Sequence, residues 1–258
     1  MEFEDWLPVY EQIVKDLGID PGKDAEASRI LSSLLEENEK VNDREETLLN
    51  AERILGGRTA YVFGSGPDIE EELSRLITEK ESNGLWFDGD TGDDAIIAAD
   101  GATSILMQHN IVPDIIVSDM DGGVEDQLSC LSRESNLFIH AHADNVNRIR
   151  DVAPRLHGLV LGTTQVSPSE GGNLDNFGGF SDGDRAAFIA HHFGATRIIL
   201  LGFNFNEVGD KVEDLGKRKP LSDREREVKF KKLAWASILL GLITRPEVRF
   251  YSQALSMP

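Results

Sequence analysis

Two aspartates, Asp119 and Asp121, stand two residues apart in the stretch PDIIVSDMDG (113 to 122), directly after the apolar run Ile115, Ile116 and Val117. An extended backbone there would turn both carboxylates to the same side. Two anions so close repel, or one takes up a proton, unless a cation joins them, and hard oxygen donors suit Mg²⁺. The run HAHADN (140 to 145) offers a different chemistry. On a strand, His140, His142 and Asp144 would share a side, close to the HxHxDH pattern of zinc hydrolases, but Asn145 stands where the last histidine belongs.

Three further stretches carry polar groups that suit a phosphate or a heterocycle. The turn GSGPDIEEEL follows an apolar run and opens a helix, so Gly64, Ser65, Gly66 and Pro67 form a candidate phosphate cradle. Ile69 occupies the place of a third glycine and no Lys-Ser or Lys-Thr pair follows, so the turn matches neither a dinucleotide fingerprint nor a Walker loop. In GGFSDGDRA, Ser181 or Asp182 suits a helix cap, while Asp182, Asp184 and Arg185 together suit a polar ring or a phosphate. Residues 81 to 210 contain no lysine, whereas Lys217, Arg218, Lys219, Arg224, Arg226, Lys229, Lys231 and Lys232 follow in one segment. That segment, 211 to 232, is the expected source of cations for a polyphosphate and reads as a closing lid.

The elements that position these groups follow from periodicity. Residues 1 to 56 read as a helical segment: Trp6, Val9, Tyr10, Ile13, Val14 and Leu17 repeat at helical spacing up to Gly18, and 24 to 35 and 43 to 55 have the same character. From residue 57 to 258 the pattern predicts an α/β domain. Short apolar runs at 59 to 64, 95 to 100, 114 to 119, 136 to 144, 158 to 164 and 197 to 205 alternate with amphipathic stretches. Continuous β-branched runs separated by helices predict a mainly parallel sheet with helices on both faces. Such sheets bind ligands beyond the carboxyl ends of their strands, where the acids and amides above cluster.

Bulk properties narrow the partners. The 258 residues carry 46 Asp plus Glu against 26 Lys plus Arg, a formal charge of −20. A field of that sign repels nucleic acid. No apolar run approaches the roughly 20 residues that span a bilayer, and MEFEDWLPVY lacks the layout of a signal peptide, so a cytoplasmic protein without membrane partners is expected. Cys130, the single cysteine, excludes an internal disulfide and a cysteine-based zinc site.

Taken in order, GSGP, ADGA (99 to 102), PDIIVSDMDG, HAHADN, GTTQ (162 to 165) and GGFSDGDRA resemble the archaeal 6-hydroxymethyl-7,8-dihydropterin pyrophosphokinases, whose catalytic domain is related to thiamine pyrophosphokinase. The resemblance covers about residues 58 to 240. It implies an enzyme of pterin cofactor biosynthesis that uses ATP and Mg²⁺, with small-molecule partners and a homo-oligomeric assembly. It implies Asp119 and Asp121 as catalytic metal ligands, with Asp144 and Asp100 as further acids. Gly64 to Pro67, Lys217 and Arg218 are then expected on the nucleotide, and Asn145, Thr163, Thr164, Gln165, Asp182, Asp184 and Arg185 on the pterin or its phosphate. Three rivals stay open at this point: a thiamine acceptor, a zinc hydrolase built on HAHAD, and a nucleotide-binding module without turnover.

Overall fold

The computed structural model describes residues 1–83, 94–167 and 174–254. Each of the six apolar runs forms a strand: β1 (Thr59–Phe63), β2 (Asp94–Ala99), β3 (Ile115–Ser118), β4 (Asn136–His140), β5 (Val160–Thr163) and β6 (Arg197–Leu201). Two end four residues before their apolar runs do. β6 stops where Gly202 turns to a φ of 70°, and β4 stops at His140, so His142 and Asp144 lie on a turn and not on a strand.

Helices α1 (Phe3–Leu17), α2 (Pro21–Glu36) and α3 (Arg44–Leu55) precede the sheet. Between strands come α4 (Ile69–Ser82), α5 (Ala102–Gln108), α6 (Val124–Leu131), α7 (Val146–Val152) and α8 (Asp182–His192). After β6 a small antiparallel hairpin, β7 (Lys211–Val212) and β8 (Arg218–Lys219), leads into α9 (Asp223–Leu240), β9 (Glu247–Phe250) and α10 (Tyr251–Ala254).

The sheet runs β5-β4-β3-β2-β1-β6-β9 with every pairing parallel. The edge strand β9 and the hairpin carry no long apolar run and were not foreseen. The chain steps outward from β1 to β5, then returns to place β6 on the other side of β1, which creates the switch point where such sheets bind ligands. β2 to β5 are buried along almost their whole length, which is why their sequences show continuous apolar runs and not alternation.

Alternate strand residues feed opposite layers. Ala60 and Val62 pack in a core that includes Trp6, Tyr10, Ile13, Ala51, Leu55 and Phe188, while Tyr61 and Phe63 join Ile69, Leu73 and Leu76 of α4 on the other face. The N-terminal helices therefore share the sheet's own core. Trp6 is fully buried, stacks on Tyr10 at 5.9 Å, and donates its indole N–H to the Gln165 carbonyl at 2.8 Å.

Removing that indole leaves a cavity and an unpaired carbonyl in the shared core. Trp6→Ala is expected to lower unfolding free energy by about 3–5 kcal/mol in a single chemical-denaturation transition; a separate early transition for residues 1 to 56 would contradict the shared core.

Candidate active site

A cleft of about 790 Å³ opens over the carboxyl ends of the strands. At its floor Asp100, Asp119 and Asp121 each bring a carboxylate oxygen within 4.8 Å of the others. The convergence does not come from an extended backbone. Asp100 follows β2 with φ 46° and Met120 sits between the two other acids with φ 62°, both in the left-handed region that L residues rarely occupy. Local hydrogen bonds hold the turn. Ser118 Oγ accepts from Met120 N at 2.8 Å and donates to Asp100 Oδ1 at 2.9 Å, and Asp121 N donates to Asp119 Oδ1 at 3.0 Å.

Gly122 closes the arrangement. Its amide donates to Asp100 Oδ1 at 3.1 Å, and a Cβ there would stand 2.6 Å from Asp100 Oδ2 and 2.5 Å from the Val212 carbonyl. The glycine after the two aspartates thus admits both the neighbouring carboxylate and the β7 hairpin.

Crowding sets the protonation. Burial, then the charges of Asp121 and Asp119, push the Asp100 carboxyl up to about 7. Burial also acts to raise Asp119, but the hydrogen bond and charge of His142, with Lys232, outweigh it and hold this carboxyl low. His142 Nε2 lies 3.1 Å from Asp119 Oδ2. Asp182, the first residue of α8, lines the same cleft; burial and the charges of Asp119 and Asp100 raise its carboxyl well above the usual range. Cations answer this charge at the rim: Lys211 Nζ is 3.0 Å from Asp121, Arg148 is 3.9 Å from it, and Lys229, Lys231, Lys232 and Arg224 line the cleft.

The other expected site residues divide between the cleft and the scaffold. Gln165 lines the cleft, as does Asp144, whose side chain is exposed on the turn after β4 and outside the converging acidic group. Asn145 is buried and braces that turn. Its Nδ2 donates to the carbonyls of Asp119 at 3.0 Å and His140 at 2.7 Å, and its Oδ1 accepts from His142 N at 3.0 Å. Thr163 and Thr164 are fully buried, the former beside His140 Nδ1 at 3.1 Å and the latter against Ser28 Oγ at 2.7 Å. Asp184 is buried at the start of α8, accepting from the amides of Phe180 at 2.6 Å and Ser181 at 2.9 Å.

Arg185 is buried with Nη2 3.1 Å from His140 Nε2. A guanidinium only donates, so His140 Nε2 accepts and the ring is the neutral Nδ1–H tautomer, in line with a pKa that burial and the Arg185 charge hold well below normal. The lone pair that a zinc ion would need at His140 Nε2 is already committed, and among the described residues His140, His142 and Asp144 form no converging ligand group.

The glycine turn lies in the cleft wall through Gly64, Ser65 and Gly66, while Pro67 is not among the residues that line it. Gly64 N donates to Leu201 O at 2.8 Å and Gly66 N to Gly202 O at 2.9 Å, so these amides are committed to joining β1 and β6. The first turn of α4 carries Glu70, Glu71 and Glu72, which oppose an anion there. Lys217 and Arg218 are exposed on the hairpin outside the cleft, with Arg218 paired to Glu70 at 3.2 Å. The cations that do line it are Lys23 of α2, Lys211 and residues of α9, and Arg226 anchors α9 to Asp210 at 2.7 Å and to Val208 O at 3.0 Å.

Asp24 of α2 was not anticipated. It is 1% exposed, lines the cleft, and accepts from Tyr10 Oη at 2.7 Å, Gln165 Nε2 at 2.6 Å and Ala143 N at 2.9 Å. A lone acid in a helical pattern carries no signal of such long-range bonds. His142 and Lys211 were missed as partners of the acids for the same reason, since their contacts arise only when separate loops meet.

Residues 32–210 match the model of the family described as 6-hydroxymethylpterin diphosphokinase MptE-like. Relatives named 6-hydroxymethyl-7,8-dihydropterin pyrophosphokinase are similar along most of their length. That of Pyrococcus furiosus is 40% identical over 93% of both chains, and that of Methanocaldococcus jannaschii 34% identical over 94% of this chain and 96% of its own. That of Methanothermobacter thermautotrophicus is 35% identical over 95% of this chain and 96% of its own. Among solved structures, the MAf glycosyltransferase from Magnetospirillum magneticum AMB-1 aligns with a TM-score of 0.42 and 16% identity over 83% of this chain and 38% of that one. With a family match over most of its length and full-length relatives at 34–40% identity, this chain belongs to the MptE-like 6-hydroxymethylpterin diphosphokinase family.

Proposed function

We propose that the protein transfers the terminal diphosphate of ATP to the hydroxymethyl oxygen of 6-hydroxymethyl-7,8-dihydropterin, giving the pterin diphosphate and AMP. The observation that carries this reading is the convergence of Asp100, Asp119 and Asp121 at the floor of a cleft rimmed by lysines, in a chain of this family. The hydroxyl oxygen attacks the β-phosphorus, and the bond from that phosphorus to the oxygen bridging it to the α-phosphate breaks. Such a transfer needs positioning and charge neutralisation more than covalent chemistry.

The donor set fits magnesium: three carboxylates, all hard oxygen donors, crowded until one is driven towards protonation. Asp119 and Asp121, with Asp100 beside them, would hold the magnesium ion, which when bound would supply Lewis-acid charge to the phosphate oxygens. His142 fixes the Asp119 carboxylate, and Asn145 holds the Asp119 backbone and the His142 turn in place. Lys211, Lys229 and Lys232 take the remaining phosphate charge. Gln165 and Asp182 face the aminopyrimidinone edge of the pterin, while Thr163, Thr164, Asp184 and Arg185 hold the wall behind them. Asp144, exposed in the cleft and outside the acidic group, receives the hydroxyl proton.

Incubation with ATP, Mg²⁺ and 6-hydroxymethyl-7,8-dihydropterin is expected to release AMP and pterin diphosphate together. Turnover with thiamine and none with the pterin would move the assignment to that acceptor. Asp119→Asn should abolish magnesium-dependent turnover, and Asn145→Ala should raise the magnesium requirement roughly 10- to 100-fold, as loss of an orienting partner does; full turnover in Asp119→Asn would contradict the metal role.

The raised carboxyls also predict how stability responds to pH. Asp100 ionises near 4 in the unfolded chain but at about 7 when folded, and Asp182 is raised in the same direction. These two acids bind more protons in the native state across that window, so their own contribution to metal-free stability falls as pH rises from 5 to 8, while His140, held neutral when folded, contributes in the opposite sense. In chelator the gain in thermal midpoint from Asp100→Asn over the unsubstituted protein should therefore grow from pH 5 to pH 8, and added Mg²⁺ should raise the unsubstituted protein's midpoint more at pH 8 than at pH 5.5. A gain from Asp100→Asn that shrinks over that range would contradict the crowded-acid picture.

A further inference from the structure

The acidic floor divides the cleft into two wings of different chemistry and reach. In the strand order, β6 lies three strands from β3 and β5 lies two strands from it on the other side. With neighbouring strands about 4.8 Å apart, the loop after β6 stands roughly 14 Å from the end of β3, Gln165 roughly 10 Å away, and the His142 turn a single spacing away.

The wing after β6 is aromatic. Phe203 and Phe205 are half-buried and line the cleft, with ring centroids 6.4 Å apart and planes inclined by 64°. Phe250 braces Phe205 edge-on at 5.7 Å. The Phe203 ring is seated between two glycines: a Cβ at Gly64 would lie 3.2 Å from its Cε2, and one at Gly183 2.9 Å from its Cε1. Gly64 and Gly183 thus make room for an aromatic ring in the cleft wall. Leu221 and Val228 line the same cleft, and Val228 is 46% exposed. Aromatic surface left half-open beside the acidic floor and its lysines calls for a flat apolar occupant.

The two reactants differ in reach in the same way as the two wings. In the donor, ribose and the α-phosphate separate the base from the reacting β-phosphorus. In the pterin, only a methylene and its oxygen separate the ring from that phosphorus after transfer. The longer reactant fits the farther, aromatic wing. The shorter one, whose edge is rich in hydrogen-bonding groups, fits the nearer wing that holds His142 and Gln165.

We propose that the Phe203–Phe205 slot at the ends of β1 and β6 holds the purine base of the donor nucleotide by stacking. This rests on the pyrophosphokinase reading above. It also accounts for a glycine turn whose Gly64 and Gly66 amides are spent on β6: Gly64 serves the aromatic seat, and the phosphates are left to the acids, their metal and the lysines.

The test is calorimetric titration of the whole protein, with Mg²⁺, by a non-hydrolysable ATP analogue and separately by the pterin, alongside turnover. Phe205→Ala should weaken analogue binding roughly 5- to 150-fold, the range for loss of one base–aromatic stack, and leave pterin binding unchanged. Phe205→Trp should restore it, and Phe203→Ala, which removes the slot's other ring, should weaken analogue binding again. Unchanged analogue affinity in both Phe205→Ala and Phe203→Ala, or loss of pterin binding in place of nucleotide binding, would overturn the slot. Loss of nucleotide binding on substitution in a protein that makes no pterin diphosphate would sustain the slot and overturn the reading beneath it.

Discussion

Mutual repulsion among Asp100, Asp119 and Asp121 is the constraint around which the site is arranged. Their oxygens converge within 4.8 Å, and two backbone positions adopt left-handed conformations to bring them there. Neither conformation is favourable for an L residue, and crowding like charges at the half-buried floor of a cleft is unfavourable too. The surrounding structure compensates with specific hydrogen bonds from Ser118, Gln127 and the Gly122 amide to Asp100, and from His142 to Asp119. Strain and crowding of this kind are features of sites that become favourable when a cation and its ligand arrive.

The scaffold transmits this requirement outward. Asp24 on α2 ties the turn after β4, the turn after β5 and Tyr10 of α1 to one carboxylate. Trp6 adds an indole bond to the same Gln165. The N-terminal helices therefore shape one wing of the cleft besides covering the sheet. On the other side, the β7 hairpin rests on Gly101 and Gly122 through Val212, and α9 carries its lysines inward while Arg226 fixes it to the loop after β6. These contacts hold the basic segment against the cleft.

The sheet and the acid pair were legible in the sequence because both signals are local. A buried parallel strand needs a continuous apolar run, and carboxylates at the end of such a run stand out. The edge strand β9 has one exposed side and no such run, so it was invisible. The partners of Arg185, Asn145 and Asp184 were hidden from sequence for a different reason: their residue types suit a ligand, and only the fold brings them to His140, the Asp119 carbonyl and the Phe180 amide. Asp24, and the pairing of His142 with Asp119, escaped notice because these contacts join segments 119 and 23 residues apart. Long-range polar pairing leaves no periodicity to read.

The central claim is that the three carboxylates hold the metal that carries the donor's phosphates. Diffraction from crystals grown with Mn²⁺ and a non-hydrolysable ATP analogue, recorded at the manganese edge, locates that ion directly. The account predicts an anomalous peak within direct coordination distance of the carboxylate oxygens of Asp119 and Asp121. A peak bound to His140 and His142 instead, or an acidic floor left empty while nucleotide occupies the cleft, would contradict it.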